Sequence, residues 1–200
     1  MTQILVVGED PLTCTLGEQL VKELLPNWIM PMAPINKKGV TKLIPEFPRF
    51  IEQATYIQPV LCIADTDGKC VKELIAKWLP KTLPRNFCLR LAVTEAESWL
   101  IADRKSIADY LGIPEMHVSK APDNEADPKR HLLNLARKSK NRDLRLELVS
   151  QTDISKQGTG YNPRLCHFVR THWSAKRAAN NSPSLARALL RIAKLAEPNN

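Results

Sequence analysis

Long apolar runs are missing from this 200-residue chain. The strongest, Ile4 to Val7 and Val60 to Ala64, fall far short of the roughly 20 residues that a bilayer-crossing helix needs. A helical membrane span is therefore excluded. No basic segment precedes a long apolar stretch at the N-terminus, where Gly8, Glu9 and Asp10 follow the first apolar run at once, so a secretory leader is not expected and the chain is expected to stay in the cytoplasm. The five cysteines, Cys14, Cys62, Cys70, Cys88 and Cys166, contain no C-x-x-C pair, which argues against a disulfide framework or a thiolate zinc site and for small core fillers. Gly158-x-Gly160 has neither the spacing nor the lysine of a phosphate-binding P-loop. Repeats and low-complexity tracts are also absent. With 44% hydrophobic and 25% charged residues, the composition is that of an ordinary globular chain.

Charge is present in excess but unevenly placed. The formal net charge is +8. Residues 1–127 carry 14 basic and 17 acidic side chains, a balance of −3, whereas residues 128–200 carry 15 and 4, a balance of +11. Such a division suggests carboxylates gathered at one site and cations meeting a polyanion or an acidic partner elsewhere.

Ile4 to Val7 reads as a strand buried on both faces. A Gly8-Glu9-Asp10-Pro11 turn follows, and then a helix marked by Leu16, Leu20, Leu24 and Leu25 that stops at Pro26. Residues 29–36 suit an edge strand because of Pro31 and Pro34, and residues 48–55 a helix. Val60 to Ala64 is a second buried strand, with Asp65-Thr66-Asp67-Gly68 at its carboxyl end and a helix over residues 69–79. Residues 87–93 suit a further strand leading into a helix at 94–102. Strands that end in polar turns and enter helices predict an α/β fold with an open, mainly parallel sheet, and ligands of such sheets sit at the carboxyl ends of the strands. Short helices are expected from residue 104 onward, around 107–111, 129–138, 163–173 and 184–195. The division expected is an α/β domain over residues 1–103 and a basic, mainly helical part over 104–200 packed on it.

Acidic residues stand at three of the expected strand ends: Glu9, then Asp65 and Asp67, then Glu95 and Glu97. In extended chain, residues two apart point the same way, so Asp65 and Asp67 are expected to converge. Two ionised carboxylates that close need a compensating cation, and Mg²⁺ suits one or two carboxylates plus waters and substrate phosphates. The competing reading is ordinary Asp-Gly turn chemistry. Thr94-x-x-Glu97 likewise allows two readings, a metal ligand at Glu97 or a capping box that merely starts a helix.

These residues resemble a known family. Val6-Val7-Gly8-Glu9 followed by Cys62-Ile63-Ala64-Asp65-Thr66-Asp67 is similar to the Toprim signature of topoisomerases, primases and OLD-type nucleases. Glu95-Ala96-Glu97-Ser98-Trp99-Leu100-Ile101-Ala102-Asp103 is similar to the E-x-E-[AS]-W-L-x-A-D stretch of a bacterial Toprim-like family often encoded beside an ABC/SMC-type ATPase in mobile or phage-defence loci. The Gly158 to Pro163 turn and the Ser182 to Arg187 helix start resemble its C-terminal half, so the likeness covers nearly the whole chain. It implies a Toprim-like fold and Mg²⁺- or Mn²⁺-dependent cleavage of nucleic acid. Asp65 and Asp67 would hold metal, Glu9 would act as general acid or base or share the metal, and Glu97 with Glu95 would hold a second ion. The turn Gly8-Glu9-Asp10-Pro11 departs from the E-G-x-[ST]-[DE] pattern common in Toprim proteins.

Two other classes fit parts of the pattern. A phosphoacceptor receiver domain also has acidic strand ends around an acceptor aspartate, here Asp65, but gives Asp67 no role. A Toprim-shaped subunit that only binds its ATPase partner needs no catalysis. In the basic part, Ser182-Pro183 marks a helix start, Leu185, Leu189 and Ile192 an apolar stripe, and Arg187 and Arg191 a basic face that is either solvated or in contact with phosphates. Arg164, Arg170 and Arg177 are further candidates for a nucleic acid or partner surface. His167 and His172 are spaced poorly for a shared metal, Trp99 and Trp173 suit the core, and Tyr161 has no assigned role.

Overall fold

The computed structural model describes residues 2–197. Four strands, β1 (Leu5–Gly8), β2 (Ile35–Asn36), β3 (Val60–Asp65) and β4 (Phe87–Ala92), form one all-parallel sheet in the order β2-β1-β3-β4. The first half supplies α1 (Pro11–Leu24), α2 (Val40–Leu43), α3 (Phe47–Tyr56), α4 (Val71–Trp78) and α5 (Glu97–Ala102). The remainder is helical: α6 (Arg104–Leu111), α7 (Pro128–Arg137), α8 (Arg142–Leu148), α9 (Tyr161–Thr171), α10 (Ala175–Ala179) and α11 (Pro183–Ala193). This is the open parallel α/β arrangement expected from the alternation of apolar runs and helices. Among the described residues no helix is long and apolar enough to cross a membrane.

The apolar runs are uninterrupted because the sheet is covered on both faces. Successive side chains alternate between two cores. Leu5, Val7, Val60, Cys62, Ala64, Phe87 and Leu89 pack with Phe47, Phe50 and Leu74 of α3 and α4. Val6, Leu61, Ile63, Cys88 and Ala92 pack on the other face in a larger core that takes in α1, α5 and the C-terminal helices, including Trp99, Phe168 and Trp173. Both tryptophans are buried as expected, and their indoles are satisfied: Trp99 Nε1 donates to Ser184 Oγ at 2.8 Å and Trp173 Nε1 to the Trp99 carbonyl at 2.9 Å. Four of the cysteines are buried fillers, while Cys70 is exposed.

Ion pairs join the C-terminal helices to the first half. Arg170 binds Glu18 at 3.2 Å, and Arg177 binds Asp103, itself 2% exposed, at 2.8 Å. Arg164 is paired with Glu147 on α8, Nη2 donating to Oε1 at 2.7 Å. Three of the five arginines proposed as ligand contacts are thus ion-paired within the chain. The expected strand at 29–36 shrinks to the two residues of β2 at the sheet edge, plus an isolated bridge from Gln3 to Ile29.

Candidate functional site

Sheet order decides where the site lies. β1 leaves toward β2 on one side and β3 lies on the other, so the order reverses between β1 and β3, the crevice where open parallel sheets receive ligands. Glu9 follows β1 and Asp65 ends β3. The backbone N–H of Asp65 donates to Glu9 Oε2 at 3.2 Å, so the Glu9 carboxylate and the residue that ends β3, 56 positions apart in sequence, meet at this crevice.

The approach of β1 to α1 is tight. A Cβ on Gly8 would lie 2.5 Å from the Cys14 backbone nitrogen, so only glycine lets the chain turn there. Asp10 then caps α1: its Oδ1 accepts from the Thr13 N–H at 2.7 Å, and Thr13 Oγ1 accepts from the Asp10 N–H at 3.0 Å. Glu9 is left pointing its acid group at the switch point while its neighbour serves the helix.

Glu97 is more deeply buried than Glu9 or Asp65. It is 6% exposed and opens α5, whose N-cap is Ala96 with no side-chain cap hydrogen bond. The capping-box reading of Thr94 and Glu97 is therefore corrected: Thr94 has φ +61° and its N–H is taken by Thr66 Oγ1 at 2.7 Å, while Glu97 Oε1 accepts from the Tyr161 hydroxyl at 2.7 Å. Tyr161 is the residue that sequence reasoning left without a role. It starts α9, after a turn in which a Cβ on Gly158 would collide with the Glu147 carbonyl oxygen and one on Gly160 would lie 2.6 Å from Glu147 Cβ. The glycine pair that opened this helix in the sequence was the signal for a backbone docked closely enough to fix the tyrosine.

Asp67 and Glu95 stand at the margin. Asp67 is exposed and has φ +49°, so the chain is no longer extended there and the two-residue repeat that would align it with Asp65 does not apply. Its N–H donates to the Thr94 carbonyl at 2.9 Å. Two side chains other than glycine in left-handed conformations, one of them β-branched, thus face each other across the loops after β3 and β4, and such strain concentrates at functional sites. Glu95 Oε2 accepts from the Lys129 N–H at 2.9 Å, at the start of α7.

Electrostatics set this cluster apart. Burial pushes the Glu9 carboxyl up to about 7 from an ordinary 4.5; the Asp65 N–H partly offsets this, and the negative charges of Asp10, Asp67 and Glu97 add to it. Asp65 is raised well above the usual carboxylate range by burial first, then by Glu9, Glu97, Asp10 and Glu95. The leading charges acting on both groups are negative. Glu97 is raised by burial, against the Tyr161 hydrogen bond and the charge of Lys129, and Tyr161 is raised by burial and by Glu97. Lys129 lies on the rim, its Nζ 5.4 Å from the Tyr161 ring centroid.

One carboxylate oxygen at the crevice is left without a partner. Asp65 Oδ1 is buried with no hydrogen-bond partner, a costly state for a carboxylate oxygen in the interior. The donor set is oxygen only, which suits Mg²⁺ or Mn²⁺. Among the described residues no group of three or more His, Cys, Asp or Glu side chains is already drawn together at coordinating geometry. His167 and His172, with ring centroids 6.3 Å apart, pack against each other, and His172 stacks on Phe168.

Two hollows that share Glu95 and Asp127 open beside the cluster. One, of 280 Å³, is lined by Asp67, Gly68, Thr94 and Ala126; the other, of 560 Å³, by Lys129, Arg130, Lys156 and Gln157. Acid groups and cations thus stand side by side along this rim. Comparison of the chain with family models, with curated proteins and with solved structures finds no match.

Proposed function

We propose that this chain is a Toprim-like, metal-dependent phosphodiesterase acting on nucleic acid. The observation that carries the reading is the contact between the Glu9 carboxylate and Asp65 at the switch point, with Asp65 Oδ1 buried and unpartnered and the charge of Glu97 acting on both. The resemblance of Gly8-Glu9, Asp65-Thr66-Asp67 and Glu95 to Asp103 to Toprim motifs points the same way. Asp65 and Glu9 would hold Mg²⁺ or Mn²⁺, with Glu97 beside them and Asp67 and Glu95 at the entrance. A bound divalent ion supplies Lewis-acid polarisation of a phosphoryl oxygen and a lowered pKa for a coordinated water.

The chain's own groups do the rest. Glu9, raised to about 7 in the free protein, would give up its proton on binding the ion, so that binding strengthens as pH rises. Tyr161 fixes Glu97 through its hydroxyl. Lys129, Arg130 and Lys156 line the adjoining hollow and would hold the phosphates flanking the scissile one. The test is cleavage of labelled DNA and RNA with Mg²⁺ or Mn²⁺, with and without an ABC/SMC-type ATPase partner, the association that the Glu95 to Asp103 resemblance suggests in phage-defence loci. Activity that disappears in Glu9→Gln and Asp65→Asn supports the reading. Activity that survives both substitutions refutes it.

The strand order also suits a phosphoacceptor domain with Asp65 as acceptor. Labelling of Asp65 by acetyl phosphate would favour that alternative. The negative charge of Glu97, which acts on Asp65, argues against it, because it would oppose the charge of an acyl phosphate.

A further inference from the structure

At the free edge of the sheet, β4 is flanked by α4 on one face and α11 on the other. Between them lies a groove of 220 Å³ lined by Val71, Ile75, Arg90, Ser184 and Arg187. Arg90 is part-buried on the face that carries Cys88 and Ala92. Arg191, one turn beyond Arg187, donates to the Arg85 and Phe87 carbonyls at 3.0 and 3.3 Å and so covers the exposed strand edge. The three guanidiniums of Arg90, Arg187 and Arg191 are close enough that burial and the charges of the other two hold Arg90 below its ordinary value.

Among the described residues, none of these three arginines forms an ion pair. This contrasts with Arg164, Arg170 and Arg177. The acid that faces the start of α11, Asp123 of the turn at 122–124, is occupied by Ser182 Oγ at 2.7 Å and the Ser184 N–H at 2.7 Å. Cations gathered without counterions repel one another, and an oxyanion relieves that repulsion through charge-assisted, fork-shaped hydrogen bonds. The groove is also positioned for such a ligand: Val93 lines it, and the next two residues, Thr94 and Glu95, line the hollow beside the carboxylates.

We infer that the Arg90–Arg187 groove at the β4 edge is a phosphate-binding site that holds the backbone of a nucleic-acid strand leading to the carboxylate cluster. The inference rests on the proposed nucleic-acid substrate, but its test does not depend on cleavage. Fluorescence anisotropy with fluorescein-labelled 15-nucleotide single strands and duplexes, in EDTA, measures binding alone. Arg187 is exposed on α11 and its side chain forms no ion pair among the described residues, so Arg187→Gln is expected to leave the fold intact, and Arg187→Glu reverses the charge.

Arg187→Gln is expected to weaken binding by about tenfold, as for loss of one charge-assisted hydrogen bond. The slope of log K against log salt should shrink by about 0.7 to 0.9, the amount for one phosphate no longer neutralised. Arg187→Glu should weaken it further, whereas Lys105→Gln, on α6, should do neither. Unchanged affinity and slope in both Arg187 variants would overturn the inference. Inorganic phosphate, titrated calorimetrically, separates the other source: a phosphate signal lost in Arg187→Gln alongside undiminished oligonucleotide binding would also overturn it. If cleavage fails but arginine-dependent binding persists, the catalytic reading falls and the strand site stands.

Discussion

Asp65 donates its backbone N–H to the Glu9 carboxylate at 3.2 Å while its own Oδ1 stays buried without a partner. Two acids are thereby locked together across the β1–β3 crevice. Folding places them there at a cost, because among the described residues neither forms an ion pair, burial raises the pKa of both, and Glu9 raises that of Asp65 further. A ligand that neutralises them recovers that cost.

The first prediction concerns pH. Glu9 holds its proton more tightly in the folded chain, to about 7, than at its ordinary 4.5, so the folded state binds more protons in this interval. Its contribution to stability is full below about 4.5 and is lost as pH rises through about 7. Asp65 acts with the same sign. In EDTA, Glu9→Gln should therefore gain melting temperature relative to the unsubstituted chain as pH rises from 4.5 to 8. A difference that is flat across this window contradicts the linkage.

Tyr161→Phe should destabilise the fold by about 1 to 2 kcal/mol, because Glu97 loses its buried hydroxyl donor. Divalent-ion affinity should change with it, since the Tyr161 hydroxyl lowers the Glu97 pKa. Chemical denaturation in EDTA measures the first effect and calorimetry the second; a variant that alters neither shows that the hydroxyl does not act on the cluster.

Gly8→Ala should cost about 1 to 3 kcal/mol, the usual range for forcing atoms into a packed site, since the new Cβ would meet the Cys14 nitrogen at 2.5 Å. Thermal melts test this directly. A neutral outcome would mean that the β1–α1 turn can yield without disturbing the chain.

Arg177→Ala leaves Asp103, 2% exposed, with the Ser174 N–H at 2.9 Å but no cation. Loss of a partner from a buried pair costs about 3 to 5 kcal/mol; with Arg177 half exposed, about 2 kcal/mol is expected. Urea denaturation should show it, and loss of well under 1 kcal/mol would reduce the pair to a surface interaction.

Much of this architecture was legible because periodicity reports which face of an element is buried. Ile4 to Val7 and Val60 to Ala64 had to be strands covered on both sides, and acids at their ends had to share one rim. Periodicity does not report what a face meets. Tyr161 reaches Glu97 from 64 residues away, and Arg164, Arg170 and Arg177 take intramolecular acids that no local pattern pairs with them. Asp67 departs from its expected alignment because a left-handed turn follows Thr66. The short α8 was missed because, within Arg142–Leu148, only Leu144 and Leu148 are buried, too few to mark a helical stripe.

The most direct test is isothermal titration of the chain with Mn²⁺, alongside Glu9→Gln, Asp65→Asn and, as a surface control, Asp109→Asn. The account predicts a saturable signal in the unsubstituted chain and the control, weakened at least about tenfold in Glu9→Gln and Asp65→Asn, as when a charged metal ligand is removed. Heats no different from dilution in the unsubstituted chain, or equal affinity in all four proteins, would contradict it.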